Sequence, residues 1–223
     1  MFDMIKKWLR LGEASKHYTE GVYCWAEALR YDFPAHDDPG KEIRQQLSEL
    51  VPEVDLSVLI STNENEDIRI LAIVLAAVDS RADCHNALIA VLNDQLESVR
   101  RSAAIALLKM DTISGLAAVV AGHRHGHGIR TQAAYRLAEH GPAAVDAIPS
   151  LFALINYSDI NWRSHTAASI ALSAIGANAS PYLTHALIHG SAQSKHESAF
   201  AMRENGVPKE FESTVNTILE PDN

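Results

Sequence analysis

The chain has 223 residues, of which 47% are hydrophobic and 21% charged, and its formal net charge is −9. These proportions exclude a disordered or fibrous polypeptide and fit a folded, soluble one. The negative balance argues against broad affinity for nucleic acid, whose phosphates are held by clustered Lys and Arg.

In chain order, the first residues, MFDMIKKWLRLGE, scatter Lys6, Lys7 and Arg10 among apolar side chains, unlike the uninterrupted apolar core of a secretory signal. They are expected to form a short amphipathic helix packed on the body, with attachment to a membrane surface through Phe2, Ile5, Trp8 and Leu9 as the alternative. No apolar run reaches the roughly 18 residues of a membrane span. Residues 13–31 place Tyr18, Val22, Trp25, Ala26 and Leu29 at helical spacing before FPAHDDPG breaks the chain, so residues 1–49 are expected to be a helical cap on the rest of the fold. From Asp32 to Asp67 there are ten acidic residues against Lys41 and Arg44, a solvated face or a docking surface for a basic partner. Cys24 and Cys84 stand in no metal-ligand or redox spacing, which predicts buried thiols and a cytoplasmic location.

Residues 50–206 are repetitive. IRILAIVLAAVDS from Ile68, VRRSAAIALLKMD from Val99, IRTQAAYRLAEHG from Ile129, SHTAASIALSAIG from Ser164 and SKHESAFAMRENG from Ser194 align without gaps, at offsets of 31, 30, 35 and 30. Their second position is basic or can become cationic: Arg69, Arg100, Arg130, His165, Lys195. Three residues on stands a small residue (Ala72, Ala103, Ala133, Ala168, Ser198) and four further an apolar one (Ala76, Leu107, Leu137, Leu172, Met202), which describes one buried stripe of a helix. Gly141, Gly176 and Gly206 close three copies, as expected of helix ends that require a positive φ. HNALIAVLND, TISGLAAVVAG, AVDAIPSLFALIN and SPYLTHALIHG lie between, predicting helix pairs that stack to share one core. Pro149 and Pro181 are expected near helix starts. Residues 207–223, with Phe211, Val215, Ile218 and Leu219, predict a capping helix.

The stretches NDQLESVRRSAAIALL and GPAAVDAIPSLFALINYSD resemble the HEAT-like repeats of the phycobilisome-lyase family, through an Asp, then Val-Arg, then spaced Ala and Leu. The resemblance covers about residues 50–206. It implies an all-α, right-handed α-α superhelix forming a single structural domain; it also implies an Asp six residues before the basic column, present here at Asp94 and Asp159 but replaced by Asn63, Arg124 and His189 in the other copies. The family contains lyases, hydroxylases and scaffolds, so the resemblance alone fixes no activity.

Chemistry is sparse. HEAT-like deoxyhypusine hydroxylases carry His-Glu pairs after the basic column and hold two irons with them, and His196-Glu197 matches that position, but Ile70-Leu71, Arg101-Ser102, Thr131-Gln132 and Thr166-Ala167 supply no ligands. His123, His125 and His127 alternate in a connection without a nearby carboxylate or cysteine. Cys84 and His85, adjacent in sequence, would point about 100° apart on a helix. Alkylpurine DNA glycosylases are also HEAT-like, and Arg100, Arg101, Lys109, Arg124, Arg130, Arg136 and Arg163 form a mildly basic stretch with Tyr135 and Trp162 as stacking groups, though the column arginines are expected to hydrogen-bond between repeats.

The expected function is therefore non-catalytic: a protein-binding module or scaffold without cofactor or metal, for instance a small inhibitor such as a bacterial immunity protein, with a chromophore lyase or lyase subunit as the enzymatic alternative. With the column helices on the concave face, residues one, two and five places after the column would form the binding surface: Arg101, Ser102, Thr131, Gln132, Tyr135, His196 and Glu197. Val74, Ile105 and Ile170 are expected to pack against adjacent repeats.

Overall fold

The computed structural model describes residues 55–63, 65–122, 124, 126–156 and 162–220, and Gln45. The expected amino-terminal cap, the acidic residues before Asp55, Cys24, His123, His125 and Asp159 lie outside the described residues. Among the described residues the fold is all-α and no strand is present. No described helix is long and apolar enough to cross a membrane.

The chain divides into two compact units, residues 1–110 and 111–223. In the first, α1 (Leu56–Thr62) packs on α2 (Glu66–Val78) and α3 (His85–Ala90), and α4 (Glu97–Met110) packs on α2 and α3. In the second, α6 (His127–His140), α8 (Trp162–Ile175) and α10 (Ala192–Asn205) lie side by side in chain order. Behind them run α5 (Ile113–Ala121), α7 (Ile148–Asn156) and α9 (Ser180–His189), and α11 (Glu212–Leu219) packs on α10 through the buried Val215. Helix starts are set by short polar side chains: Asp55 accepts from the Ser57 amide at 2.8 Å, Asn65 from the Asp67 amide at 2.9 Å, Thr112 from the Gly115 amide at 3.3 Å and Ser191 from the Ser194 amide at 3.1 Å. Pro149 and Pro181 are each the second residue of their helix, where the missing amide costs no hydrogen bond.

The five aligned copies occupy α2, α4, α6, α8 and α10. The small position three residues after the basic column is fully buried in every copy, as is the next one (Ile73, Ala104, Ala134, Ser169, Ala199), and the apolar position seven residues after the column is buried throughout. These positions fall on one side of a 3.6-residue helix, the side that carries the core.

The copies also end alike. Their thirteenth position has a positive φ in all five: Ser80 (49°), Asp111 (53°), Gly141 (55°), Gly176 (82°) and Gly206 (93°). Ser80 and Asp111 are the only residues other than glycine with positive φ among the described residues, so the repeat imposes this torsion even where a side chain opposes it.

The basic column serves the helix ends. Arg130 is 2% exposed and donates from Nε to the Val120 carbonyl at 3.0 Å, in the last turn of α5; Arg69 does the same to the Ile60 carbonyl of α1 at 2.9 Å. Carbonyls in a helix's last turn lack an intrahelical partner, and a guanidinium from the next copy supplies one. Arg69 also pairs with Asp94, six residues before the next copy's basic residue. Asp94 accepts from the Leu96 amide, and Asn63, at the matching place, accepts from the Asn65 amide; the turn therefore survives replacement of Asp by Asn while the charge does not.

Ser80→Gly should raise stability by about 0.5–1 kcal/mol, because an exposed serine then no longer strains the backbone, whereas Gly206→Ala should lower it by a similar amount. Urea-unfolding midpoints check both signs. Burial opposes ionisation of Asp94, but the hydrogen bonds from Arg69 and the Leu96 amide outweigh it and hold the carboxyl below its usual range. Its stabilising contribution is thus complete above the unfolded-state value of about 3.9 and disappears as pH falls through the lower folded value. Asp94→Asn keeps the turn, should cost about 1–2 kcal/mol at pH 7, and should make the loss of stability between about pH 5 and pH 2 shallower than in the parent protein.

Candidate functional site

On a column helix, the residues are distributed by their angle around the axis. Positions two and six after the column are buried in four of the five copies (Leu71 and Leu75, Ser102 and Ala106, Ala167 and Ala171, Glu197 and Ala201), and only α6 exposes them, at Gln132 and Arg136. In the second unit, the helix on the earlier side accounts for the burial on α10. Thr166 Oγ1 donates to Glu197 Oε1 at 3.3 Å, Ser169 Oγ to the Glu197 carbonyl at 2.8 Å and Ser173 Oγ to the Ala201 carbonyl at 3.0 Å, so α8 presents hydroxyls to this side of α10. Thr131 and Ser164 share a hydroxyl hydrogen bond of 2.9 Å between α6 and α8.

This corrects two members of the expected binding surface. Ser102 is completely buried, and Glu197 is 5% exposed with its carboxylate held by Thr166 and by Gln193 Nε2 at 2.7 Å. Both belong to the packed side of their helices, because a residue two places after the column is turned about 200° from it, onto the flank that meets the earlier column helix. His196 is exposed while Glu197 is buried, so the His-Glu dipeptide is split between solvent and helix interface.

Positions one and five after the column form the remaining face. In the first unit, Ile70, Val74 and Ile105 are buried and Arg101 is half-buried on α4. In the second unit this face opens: Thr131, Thr166, Ile170 and Phe200 are half-buried, His196 is exposed at the same register, and Tyr135 is 43% exposed. Ile170 thus departs from the packed position expected of it. Trp162, which shares a side of α8 with Thr166 and Ile170 at four-residue spacing, is 61% exposed, with the Arg163 guanidinium 5.6 Å from its ring centre. The structure therefore brings Thr131 and Tyr135 on α6 and His196 on α10 onto matching places on either side of α8, adds Trp162 on α8, and leaves Arg101 on the other unit. In the sequence, Trp162 stands out only as a candidate stacking group for nucleic acid, beside Tyr135.

The other candidates resolve individually. Arg100 donates to the carbonyls of Asp94 and Gln95, Arg136 pairs with Glu139 on its own helix at 3.6 Å and Arg130 is committed to Val120, so these three residues of the basic stretch serve local structure. Cys84 is fully buried, and burial, with the Asp83 carboxylate adding to it, pushes its thiol up, away from the thiolate a nucleophile needs. His127 is exposed at the start of α6.

No protein family and no curated protein matches the chain. Among solved structures, a crystal structure of an engineered protein is similar, with a TM-score of 0.45 and 16% identity over 91% of this chain and 94% of that one.

Glu197→Ala removes an acceptor for two hydrogen bonds at a buried contact and should destabilise the protein by about 1–3 kcal/mol, whereas Gln132→Ala, on the exposed flank of α6, should change stability by less than about 0.5 kcal/mol. Thermal melting of the two variants side by side checks the difference.

Proposed function

We propose that this chain is a non-catalytic protein-binding module whose contact surface is the face that α6, α8 and α10 present one and five places after the column. The observation that carries the reading is the exposure of Tyr135 and Trp162 on helices whose core sides are buried. Large aromatic rings left in water sacrifice the stabilisation that burial would give, and aromatic residues with arginine dominate the energetics of protein interfaces. Ile170 and Phe200 extend the apolar surface between and beyond them, while Thr131, Gln132 and His196 supply polar groups around it. The net charge of −9 supports a partner of basic character. The non-catalytic part of the reading is supported by how the reactive groups are used: Glu197 serves a helix contact, Asp94 an ion pair, and Cys84 is enclosed.

The test is affinity capture of partners followed by quantitative binding. Tyr135→Ala combined with Trp162→Ala should weaken the captured partner at least ~100-fold, as expected for two central anchors of more than about 1.4 kcal/mol each, with the melting temperature nearly unchanged. Equal binding by a folded double variant would place the contact elsewhere. A change in bilin absorbance on titration with the chain would instead favour the chromophore-lyase reading.

A further inference from the structure

Away from the proposed binding face, α9 carries a separate constellation. Its buried side, Leu183, Ala186 and Leu187, anchors it, and on its exposed side Tyr182, His185 and His189 stand at three- and four-residue spacing. His185 and His189 are one turn apart, with ring centres 5.0 Å from each other and planes inclined by 53°. Phe152, projecting from α7, meets Tyr182 edge-on at 5.4 Å and His185 edge-on at 5.9 Å. The imidazole of His185 is thus held against an aromatic wall.

From this geometry we infer that His185 and His189 form a chelating site for one late first-row divalent transition-metal ion. Two histidines four residues apart on one helix present their rings to the same side, the arrangement by which helical histidine pairs hold zinc. The spacing fits. A metal–nitrogen bond of about 2.0–2.1 Å, plus about 1.1 Å from a ring nitrogen to its ring centre, puts each ring centre about 3.2 Å from the ion; ligand angles between about 90° and 109° then separate the centres by about 4.5–5.2 Å. The observed 5.0 Å lies inside that interval, and with planes inclined by 53° the rings have to reorient for a nitrogen of each to face one ion. Contact with Phe152 restricts His185 beforehand, which lowers the entropy lost on binding.

The chemistry of the donors narrows the ion. Two neutral imidazoles favour Cu2+, then Ni2+ and Zn2+, over Mg2+ or Ca2+, which take oxygen ligands. Among the described residues no group of three or more His, Cys, Asp or Glu side chains converges, so the described residues offer the ion these two ligands. The site involves no residue of the proposed binding face and stands or fails independently of it.

Isothermal titration of untagged full-length protein with Cu2+, followed by electron paramagnetic resonance, tests the inference. One ion per chain should bind with nitrogen hyperfine structure, and His185→Ala or His189→Ala should each lower its affinity at least tenfold while leaving the melting temperature of the metal-free protein nearly unchanged. His123→Ala/His125→Ala/His127→Ala should retain the same ion, which separates the helical pair from the histidine-rich connection. Absence of binding by the parent protein, or binding that survives both α9 substitutions and is lost with the triple one, would overturn the inference.

Discussion

The structure depends on the close approach of neighbouring helices at two fully enclosed positions of each copy. Side chains three and four places after the basic column carry no more than a methyl or hydroxymethyl group in all copies except at Ile73, and none of them touches solvent. Interiors pack at crystal-like density, so a larger group at these places would push helices apart along their length. Hydroxyls complete the approach: Ser169 and Ser173 reach the main-chain carbonyls of the next helix because they are short, and a longer side chain at either place would hold that backbone away. The repeated interval of three and four residues is the imprint of this constraint on the sequence.

Two further features arise from it. A helix clamped on its core side and its flanks must end abruptly, and each copy ends at its thirteenth residue by turning the backbone to positive φ. Its partner in the second layer must also satisfy its terminal carbonyls within a crowded environment, and Arg69 and Arg130 do so from the following copy. A buried guanidinium is tolerated there because it has acceptors, the Ile60 carbonyl and the Asp94 carboxylate for Arg69 and the Val120 carbonyl for Arg130; a cation without them would be costly to bury. Arg69 and Arg130 of the basic column are therefore devices of assembly.

How much of this was legible in the amino-acid sequence depended on periodicity. The five-copy register, the small and apolar columns, the terminal glycines and the proline-led helices could all be read because each repeats a backbone requirement. Ser80 could not be read as an equivalent of glycine from its own chemistry, and Asp111 only weakly, since Asp tolerates positive φ better than most residues; alignment with Gly141, Gly176 and Gly206 marks both places. Ser102 and Glu197 were misplaced because small and charged polar residues suggest solvent, whereas here they lie on the packed flank, and Glu197 spends its hydrogen-bonding capacity on a helix contact. Trp162 lies before its copy begins, outside every column, and the pairing of His185 with His189 falls in the second helix set, whose spacing varies too much to form columns.

The division of each column helix explains where such a fold can vary its surface. Changes three, four or seven places after the column disturb packing, and changes two or six places after it disturb buried contacts on every column helix except α6, where Gln132 and Arg136 are exposed. Positions one and five carry the most varied side chains: the same two places hold Ile70 and Val74, Arg101 and Ile105, Thr131 and Tyr135, Thr166 and Ile170, and His196 and Phe200, and they are open to solvent in the second unit whereas Ile70, Val74 and Ile105 are buried in the first. Aliphatic, aromatic, hydroxyl and cationic groups all occur there on one scaffold. A sequence can therefore preserve every requirement of assembly while setting the character of its exposed face residue by residue, and in the second unit that face is aromatic.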